Sequence, residues 1–391
     1  MGAFVVEDLL AEATEQADGL GDFGADDFRE GLEVYARAVE REAQLSDLGD
    51  MAIRSTITAA LVNRLKVVDW AARHPEVRDE VIDAPVIVIG MFRAGTTFLS
   101  NLLEQDATNR PLLRWESADS VPPPTPADFR EGPRVDLAKI GVEMLEALNP
   151  AVRAIHHEDA DGPTECIAVM SQDFKSLSWE AIANVPSYGA WLRAVDQTSA
   201  YDYHRLVLQI LQSGGVRGRW TLKSPHHCLN LDALTAVYPD ARLVLLHRDP
   251  VVLSASVCSL IGTLSSTFTD VDHQAYVAEH WTAMLEESVA RVDAFRAAHP
   301  EHPIIDVHYA DLVRDPVATV ATLYGALGEE LDPAAAEAMT AYVAAHPKGS
   351  LGTHGYDLAS YGLDAEALTE RFADYVARYA IAPETPATSK A

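Results

Sequence analysis

Residues 86–99 read Val-Ile-Val-Ile-Gly-Met-Phe-Arg-Ala-Gly-Thr-Thr-Phe-Leu. The β-branched run from Val86 to Ile89 predicts a buried strand, and the apolar spacing that begins after Thr96 predicts a helix. Between them lies a short loop bounded by Gly90 and Gly95. This succession is typical of a phosphate-binding loop, in which backbone N–H groups and a helix N-terminus converge on an anion.

The loop differs from its ATP-binding form at one position. The pattern G-x-x-x-x-G-K-[ST] places a lysine directly after the second glycine, where this chain has Thr96. The basic residue is instead Arg93, inside the loop. Such a loop can hold phosphate or sulfate, but it lacks the lysine that reaches the β- and γ-phosphates of ATP. The sequence therefore argues against ATP hydrolysis.

The composition excludes several classes of protein. With 391 residues and 48% hydrophobic content, the chain is large enough to bury a substantial core. Its 59 acidic residues against 30 Lys and Arg give a net charge of −29, which predicts no nucleic-acid partner. Three widely spaced cysteines (Cys166, Cys228 and Cys258) predict neither a disulfide framework nor a metal site. His156 and His157 do not predict a metal site either, because adjacent residues rarely share a helix face.

No targeting segment is expected in this chain. Residues 1–8 carry no basic start and no long apolar stretch, unlike a signal peptide. No run approaches the roughly 18–20 apolar residues that a membrane span requires. We therefore expect a cytoplasmic protein without stable membrane insertion.

The order of predicted elements indicates an α/β protein. Strands are predicted at Pro85–Gly90, Trp220–Lys223, Leu243–Arg248 and Ile304–Tyr309. Residues 220 to 248 form a strand–helix–strand unit of about 28 residues, the length of a parallel βαβ pair. We expect a P-loop-like three-layer fold with a central parallel sheet, in which ligands bind beyond the carboxyl ends of the strands.

The domain organisation is predicted as a helical N-terminal extension followed by one large domain. The predicted units are a helical extension (1–80), an α/β domain (81–382) that contains a helical acceptor-site insertion (134–215), and a flexible tail (383–391). The aromatic residues of the insertion, together with Trp281, are candidates for an acceptor pocket, with core packing as the alternative.

Cations follow three of the predicted strands. Arg93, Lys223 and Arg248 come at or just after strand ends, which predicts an anion site at one edge of the sheet. Asp249 and Pro250 are suited to begin a helix, and Ser256 lies about two turns along it. Arg248 and Ser256 could therefore hold one phosphate together; the alternatives are a surface ion pair with Asp249 and an ordinary helix serine.

An acidic magnesium ligand is missing from the third predicted strand. An ATPase would place it at the end of such a strand, whereas this strand ends in His247 and Arg248. A nucleotide bound by arginine and lysine alone fits a donor that carries no magnesium.

Five motifs in order resemble one known family, the sulfotransferases that use 3′-phosphoadenosine 5′-phosphosulfate (PAPS), and in particular their mycobacterial and actinobacterial branch. The motifs are Gly90-Met-Phe-Arg-Ala-Gly-Thr-Thr, Trp220-Thr-Leu-Lys-Ser-Pro-His-His, His247-Arg-Asp-Pro with Ser256, Tyr309-Ala-Asp-Leu-Val-Arg-Asp-Pro, and His346-Pro-Lys-Gly with Tyr361-Gly-Leu. The resemblance extends from about residue 84 to 380.

The resemblance implies how the donor is bound. The loop residues Arg93, Ala94, Gly95, Thr96 and Thr97 would bind the 5′-phosphosulfate, and Arg248 and Ser256 would bind the 3′-phosphate. Lys348 and Gly349 would belong to a loop that closes over the nucleotide, and Lys223 would lie beside the transferring sulfuryl group. Ala94 stands where many members carry serine, so one hydroxyl contact to the donor is missing.

The activity implied by the resemblance is sulfuryl transfer to a hydroxyl of a small molecule or lipid, with an amine as the less favoured acceptor. The product would be adenosine 3′,5′-bisphosphate, no metal would be required, and Arg93 and Lys223 would neutralise the leaving phosphate. A P-loop kinase that uses Mg-ATP and a non-catalytic nucleotide-binding homologue are the alternatives. The sequence leaves a homodimer open.

Three residues are candidates for the base that takes the acceptor proton. Glu116 and Glu165 match acidic positions of different family branches, and we place Glu116 slightly ahead. The alternative for Glu116 is a solvated acid, and for Glu165 a first-turn acid favoured by the helix dipole. His226 ranks third, because Pro225 occupies the position where some branches carry histidine.

Overall fold

A parallel sheet of five strands organises the chain in the computed structural model, which describes residues 4–155, 158–347 and 358–384. The strands are β1 (Val86–Gly90), β2 (Asn109–Pro111), β3 (Arg219–Lys223), β4 (Arg242–His247) and β5 (Ile304–His308). Their order across the sheet is β2-β3-β1-β4-β5, and each neighbouring pair is parallel. The four predicted strands are therefore present, and the short polar strand β2 is an addition that its sequence did not signal.

The strand order corrects one expectation. β3 and β4 are parallel, as the strand–helix–strand pattern predicted, but they do not pair with each other. Each pairs with β1 instead: Val86 lies opposite Thr221 on one side, and Ile87 lies opposite Leu243 on the other. The predicted phosphate-binding loop thus leaves the middle of the sheet, with the ends of β3 and β4 on either side of it.

Helices precede the first strand, as the sequence predicted. They are α1 (Val6–Gln16), α2 (Asp27–Ala38) and α3 (Asp47–Arg73), with a π-helical segment at Val39–Ala43 and a 3₁₀ segment at Pro75–Asp79. The longest of them, α3, is capped by Ser46, whose hydroxyl accepts a hydrogen bond from the Gly49 N–H at 3.1 Å.

The remaining helices connect and cover the strands. In chain order they are α4 (Thr96–Leu103), α5 (Arg114–Ala118), α6 (Pro133–Leu148), α7 (Ala151–Ile155), α8 (Ile167–Met170), α9 (Ser178–Ile182), α10 (Pro186–Ala194), α11 (Thr198–Ser213), α12 (Leu231–Val237), α13 (Pro250–Ser265), α14 (Gln274–Ala298), α15 (Tyr309–Arg314), α16 (Pro316–Ala326), α17 (Pro333–Ala345), α18 (Ala365–Arg371) and α19 (Ala373–Arg378). Short 3₁₀ segments lie at Ser171–Asp173, Pro225–Leu229 and Ala359–Tyr361. No helix in the described ranges is long and apolar enough to cross a membrane.

Both faces of the sheet are buried, as alternate residues of β1 show. Val86 and Val88 belong to one apolar cluster, which includes residues of α13 and α14. Ile87 and Ile89 belong to a second, which includes residues of α11 and α12. Since a sheet with helices on both faces forms three layers, the predicted fold class is confirmed.

Candidate active site

The loop between β1 and α4 has the tight backbone that its glycines predict. Gly95, which caps α4, has φ of 101°, a conformation that favours glycine. A Cβ added there would lie 2.6 Å from Cδ2 of Tyr309, so the close packing of that ring also requires glycine. Arg93 itself has φ of 71°. The loop is therefore held in a specific, sharply turned shape beside Tyr309.

Three of the residues predicted to bind the donor, Arg93, Arg248 and Ser256, lie together. The Arg93 Nε donates to the Ser256 hydroxyl at 3.1 Å, and the Arg248 Nη1 donates to the Arg93 carbonyl at 2.9 Å. The guanidinium of Arg248 lies 4.0 Å from the centre of the Tyr309 ring. Asp249 caps α13 as predicted, since its carboxylate accepts from the Val251 N–H at 2.9 Å. The tight loop and the β4–α13 turn thus form one cationic corner.

Glu384 contacts the same corner from the C-terminal segment. Its carboxylate accepts from Arg248 Nε at 2.9 Å and from Arg248 Nη2 at 3.0 Å, and its N–H donates to Asp249 at 2.7 Å. Glu384 falls in the part predicted as a flexible tail, and nothing local in the sequence signals this pairing. A carboxylate here occupies donors that an anionic ligand could use.

Lys223 ends β3 and is fully buried, with its ammonium among three oxygen atoms. Its Nζ donates to the Thr97 hydroxyl at 3.1 Å, to Glu158 Oε1 at 3.0 Å and to Glu165 Oε1 at 3.4 Å. Burial disfavours the ammonium, but the two carboxylates outweigh it and hold the pKa of Lys223 above its usual value. Lys223 is therefore a cation at the edge of the loop.

Glu165 has a raised pKa. Burial is the main cause, and the neighbouring Glu158 carboxylate adds to it, while Lys223 and Arg93 act in the opposite direction. A carboxylate with a raised pKa is a better proton acceptor than an ordinary glutamate, provided it can reach the reacting group.

Glu158 is a charged residue beside Lys223 that the sequence analysis did not identify. The second oxygen of its carboxylate accepts from the Thr164 hydroxyl at 3.0 Å and lies 3.6 Å from Arg114 Nη1. No local pattern links residue 158 to residue 223, since only the tertiary fold brings them together.

A cavity of about 450 Å³ opens onto this cluster. Five of the predicted donor-site residues line it, together with one candidate base, and its other walls are largely apolar. The lining residues that carry charge or belong to the loop are Arg93, Gly95, Thr96, Thr97, Glu165 and Arg248; the others include Phe92, Phe98, Leu260, Tyr309, Val313 and Val343. The cavity therefore combines cations, one carboxylate and an apolar wall.

Glu116 does not line this cavity. It is fully buried, and its two oxygens accept from Arg110 Nη1 and Nη2 at 2.7 and 2.6 Å. The Leu113 N–H donates to the same carboxylate at 3.0 Å. This closed ion pair between α5 and β2, with the Leu113 N–H, satisfies the carboxylate.

His226 is also fully buried and does not line the cavity, whereas its neighbour Pro225 does. Its Nε2 lies 3.1 Å from the Asn230 amide nitrogen, and burial lowers the pKa of the ring to about 3. Lys348 and Gly349, predicted to close over the nucleotide, lie outside the described residues, as do His156 and His157. Ala94 lies in the loop with its methyl group buried.

Most of the aromatic residues of 134–215 lie in the core. Phe174 and Trp179 stack with their ring centres 5.1 Å apart, and both are buried, as are Tyr188 and Trp281. All four belong to the apolar cluster that contains Val86 and Val88. Residues 134–215 contribute Glu165 to the lining of the cavity, but these four aromatic residues do not line it. They therefore pack in the core, which was the alternative to an acceptor pocket.

Comparisons with known proteins identify the family to which the chain belongs. Residues 85–333 match the sulfotransferase family. The chain is similar to sulfotransferase STF9 from Mycobacterium avium, with 32% identity, coverage of 99% of this chain and 98% of that one, and a TM-score of 0.88. Sulfotransferase STF1 from Mycobacterium tuberculosis is 35% identical, over 95% of this chain and 98% of that one, with a TM-score of 0.84.

A curated relative is named after its substrate. The omega-hydroxy-beta-dihydromenaquinone-9 sulfotransferase of Mycobacterium bovis is 24% identical over 328 residues, which are 78% of this chain and 77% of the relative. The match over residues 85–333 and the two solved structures settle the family: the chain belongs to the sulfotransferases.

Proposed function

We propose that this enzyme transfers the sulfuryl group of PAPS to a hydroxyl of a small molecule or lipid, with an amine as the less favoured acceptor. The observation that carries the proposal is the convergence of Arg93, Lys223 and Arg248 beside one cavity, at the carboxyl ends of β1, β3 and β4. Arg93 and Arg248 line the cavity and Lys223 contacts Thr97 in its wall, so cations from three strand ends lie near the place where a polyanionic donor would bind.

The donor would be bound by two groups of residues. Loop residues 93–97, with the N-terminus of α4, would hold the 5′-phosphosulfate. Arg248 and Ser256 would hold the 3′-phosphate, which ATP lacks. The contacts among Arg93, Arg248 and Ser256 support this assignment, because they bring the two phosphate sites within the reach of one nucleotide.

Transfer forms a bond between sulfur and the acceptor oxygen and breaks the bond between sulfur and the 5′-phosphate oxygen. Charge then builds up on the leaving phosphate, where Arg93, Lys223 and the loop N–H groups can stabilise it. One well-placed donor in a water-excluded site contributes about 3–4 kcal/mol to such a step. No metal ion is needed in this scheme.

Glu165 is the residue we propose as the base. It lines the cavity and lies 3.4 Å from Lys223, whereas the carboxylate of Glu116 is closed by Arg110 and His226 is buried away from the cavity. We therefore place Glu165 ahead of Glu116, the reverse of the order that the sequence suggested.

The apolar wall supports a partly apolar acceptor. Phe92, Phe98 and Leu260 line the cavity that contains the carboxylate of Glu165. The name of the curated relative specifies a hydroxylated menaquinone derivative as its substrate. A phenol, a sterol-like alcohol or a hydroxylated lipid would fit the same chemistry here.

Calorimetry with adenosine 3′,5′-bisphosphate tests the donor. We expect the bisphosphate to bind equally well with magnesium and with a chelator. Arg248→Ala should weaken that binding about 10- to 100-fold, since hydrogen bonds between charged groups contribute about 1.5–3 kcal/mol. Arg242→Ala is a matched control, because it removes an arginine that pairs with Glu329 at the opposite end of β4.

Two other binding results would contradict the proposal. Binding of ATP that requires magnesium, with no binding of the bisphosphate, would overturn the proposal in favour of a kinase. Binding of the bisphosphate without transfer to any hydroxyl acceptor would instead favour a non-catalytic homologue.

A further inference from the structure

Lys223 is placed between two carboxylates that differ in access to the cavity. Both Glu158 and Glu165 lie within 3.4 Å of its Nζ. Glu165 lines the cavity, whereas Glu158 does not, and the Glu158 side chain is only 6% exposed. The two glutamates therefore share one lysine, but only one of them can meet an acceptor.

If Glu165 is the base, which rests on the proposed function, the counter-charge of Lys223 changes during the reaction. When Glu165 takes up the acceptor proton, its carboxylate becomes neutral. Lys223 is completely buried, and a buried ammonium without a counter-charge is strongly disfavoured. At that moment Lys223 needs a second anion, and Glu158 lies at 3.0 Å to supply it.

We propose that Glu158 is a positioning residue, which holds the charged Lys223 against Thr97 while Glu165 gains and loses the acceptor proton. Before the transfer, one ammonium faces two carboxylates. After proton uptake by Glu165, the same ammonium faces one carboxylate and one carboxylic acid. Lys223 thus keeps its charge and its place throughout the transfer.

The local structure fixes Glu158 for this role. Thr164, next to Glu165, donates to the Glu158 carboxylate at 3.0 Å. The Cys166 N–H donates to the Lys223 carbonyl at 3.0 Å, which ties the end of this segment to β3. Residues 158–166 therefore carry both carboxylates and are anchored to the lysine that they flank.

The charged and titratable groups around this cluster set the direction of the expected pH effects. Arg114 lies 3.6 Å from Glu158, and Arg93 acts on Glu165. Burial raises the pKa of the Cys166 thiol to about 12, so this group remains neutral. Loss of the Glu158 charge removes one repulsion from Glu165 and one attraction from Lys223. The pKa values of Glu165 and Lys223 should therefore both fall.

Glu158→Gln tests the proposal by kinetics. We expect kcat to fall about tenfold or more, as when a charged partner that orients a functional group is lost, with little change in the KM for the donor. Both limbs of the pH profile should move to lower pH, which a merely structural defect would not produce. Glu158→Asp should restore part of the rate. Glu329→Gln, which removes a carboxylate at the opposite end of β3 and β4, should leave the profile unchanged.

A second measurement does not depend on the donor or on turnover. NMR of ¹³C-labelled glutamate carboxyls, with Glu165→Gln to assign the signal, gives the pKa of Glu165 directly. The pKa of Glu165 should fall in Glu158→Gln. It should rise in Arg114→Met, because this substitution removes a cation, and the partly exposed position of Arg114 can accommodate methionine. An unchanged pKa in both variants, or unmoved limbs of the pH profile, would overturn the role of Glu158.

The two proposals fail in different ways. Absence of bisphosphate binding by the unaltered protein would overturn the proposed donor. The NMR measurement would still decide whether Glu158 controls the charges of Lys223 and Glu165.

Discussion

Glu116 and Glu165 are both glutamates paired with a cation inside the protein, yet they have different surroundings. Glu116 faces Arg110, whose two terminal nitrogens occupy its two oxygens, and the guanidinium stacks 4.2 Å from the Trp220 ring centre. Glu165 faces Lys223, which it shares with another carboxylate, and it also lines the cavity.

The difference follows from the geometry of the two cations. A guanidinium presents a planar fork that matches both oxygens of one carboxylate, so the pair is closed to other partners. An ammonium is a point charge that several oxygens can share, so a carboxylate beside it keeps acceptor capacity. A closed pair serves stability, whereas a shared cation leaves a glutamate able to take a proton.

The largest expected effect concerns Glu165. Glu165→Gln should lower kcat about 10²- to 10⁴-fold, the usual contribution of a general base, while bisphosphate binding changes little. Steady-state turnover with a sulfated product as readout measures this. Full turnover in this variant would remove Glu165 from the mechanism.

Glu116→Gln should instead reduce stability. Removal of one partner leaves the Arg110 charge buried and incompletely paired, which typically costs about 3–5 kcal/mol. Urea unfolding measures the loss, and kcat per folded molecule should remain near that of the unaltered enzyme.

A surface pair provides the control for that experiment. Glu286→Gln breaks the exposed pair with Arg371 and should cost less than about 1 kcal/mol. A Glu116→Gln protein of normal stability but without activity would restore Glu116 as the base.

The pH dependence of kcat/KM should report the pKa of Glu165. A base must be deprotonated, so kcat/KM should fall as the pH drops through the pKa of Glu165. Because burial raises that pKa, the fall should begin at a higher pH than for an ordinary glutamate, whose pKa is about 4.3. His226→Gln should leave this limb in place, since burial holds the pKa of that ring at about 3.

A third carboxylate, Glu384, should give the smallest effect. Its pair with Arg248 is partly exposed, and such pairs contribute about 0.2–1 kcal/mol. Glu384→Gln should tighten bisphosphate binding by at most about fivefold in calorimetry, because a competing anion is lost. Glu370→Gln, an exposed C-terminal position, is the control. Weaker binding in Glu384→Gln would mean that Glu384 orients Arg248 toward the nucleotide instead of competing with it.

Local patterns were sufficient to place most of the residues of the donor site that we propose. The strand, the glycines and the helix start of residues 86–99 are contiguous, so their arrangement follows from the chain itself. Arg93, Lys223 and Arg248 were predicted to meet because parallel strands place their carboxyl ends at one edge. In the structure Arg93 and Arg248 line the cavity, and Lys223 lies buried behind its wall, in contact with Thr97.

Contacts between distant segments could not be predicted in this way. The insertion of β1 between β3 and β4 depends on pairing across more than a hundred residues, and β2 is too short and polar to be recognised. Likewise, nothing near residue 158 or residue 384 specifies a lysine or an arginine as its partner.

The sequence by itself determined the tight loop between β1 and α4, the cations at the strand ends and the three-layer fold, because backbone preference and apolar periodicity are local properties. Only the tertiary structure decided which glutamate meets the cavity and which is closed in an ion pair. The physical reason is that the role of a carboxylate depends on its burial and on its charged neighbours. Here the lysine, Lys223, is at least 58 residues away in the chain from Glu158 and Glu165, so only folding brings them together.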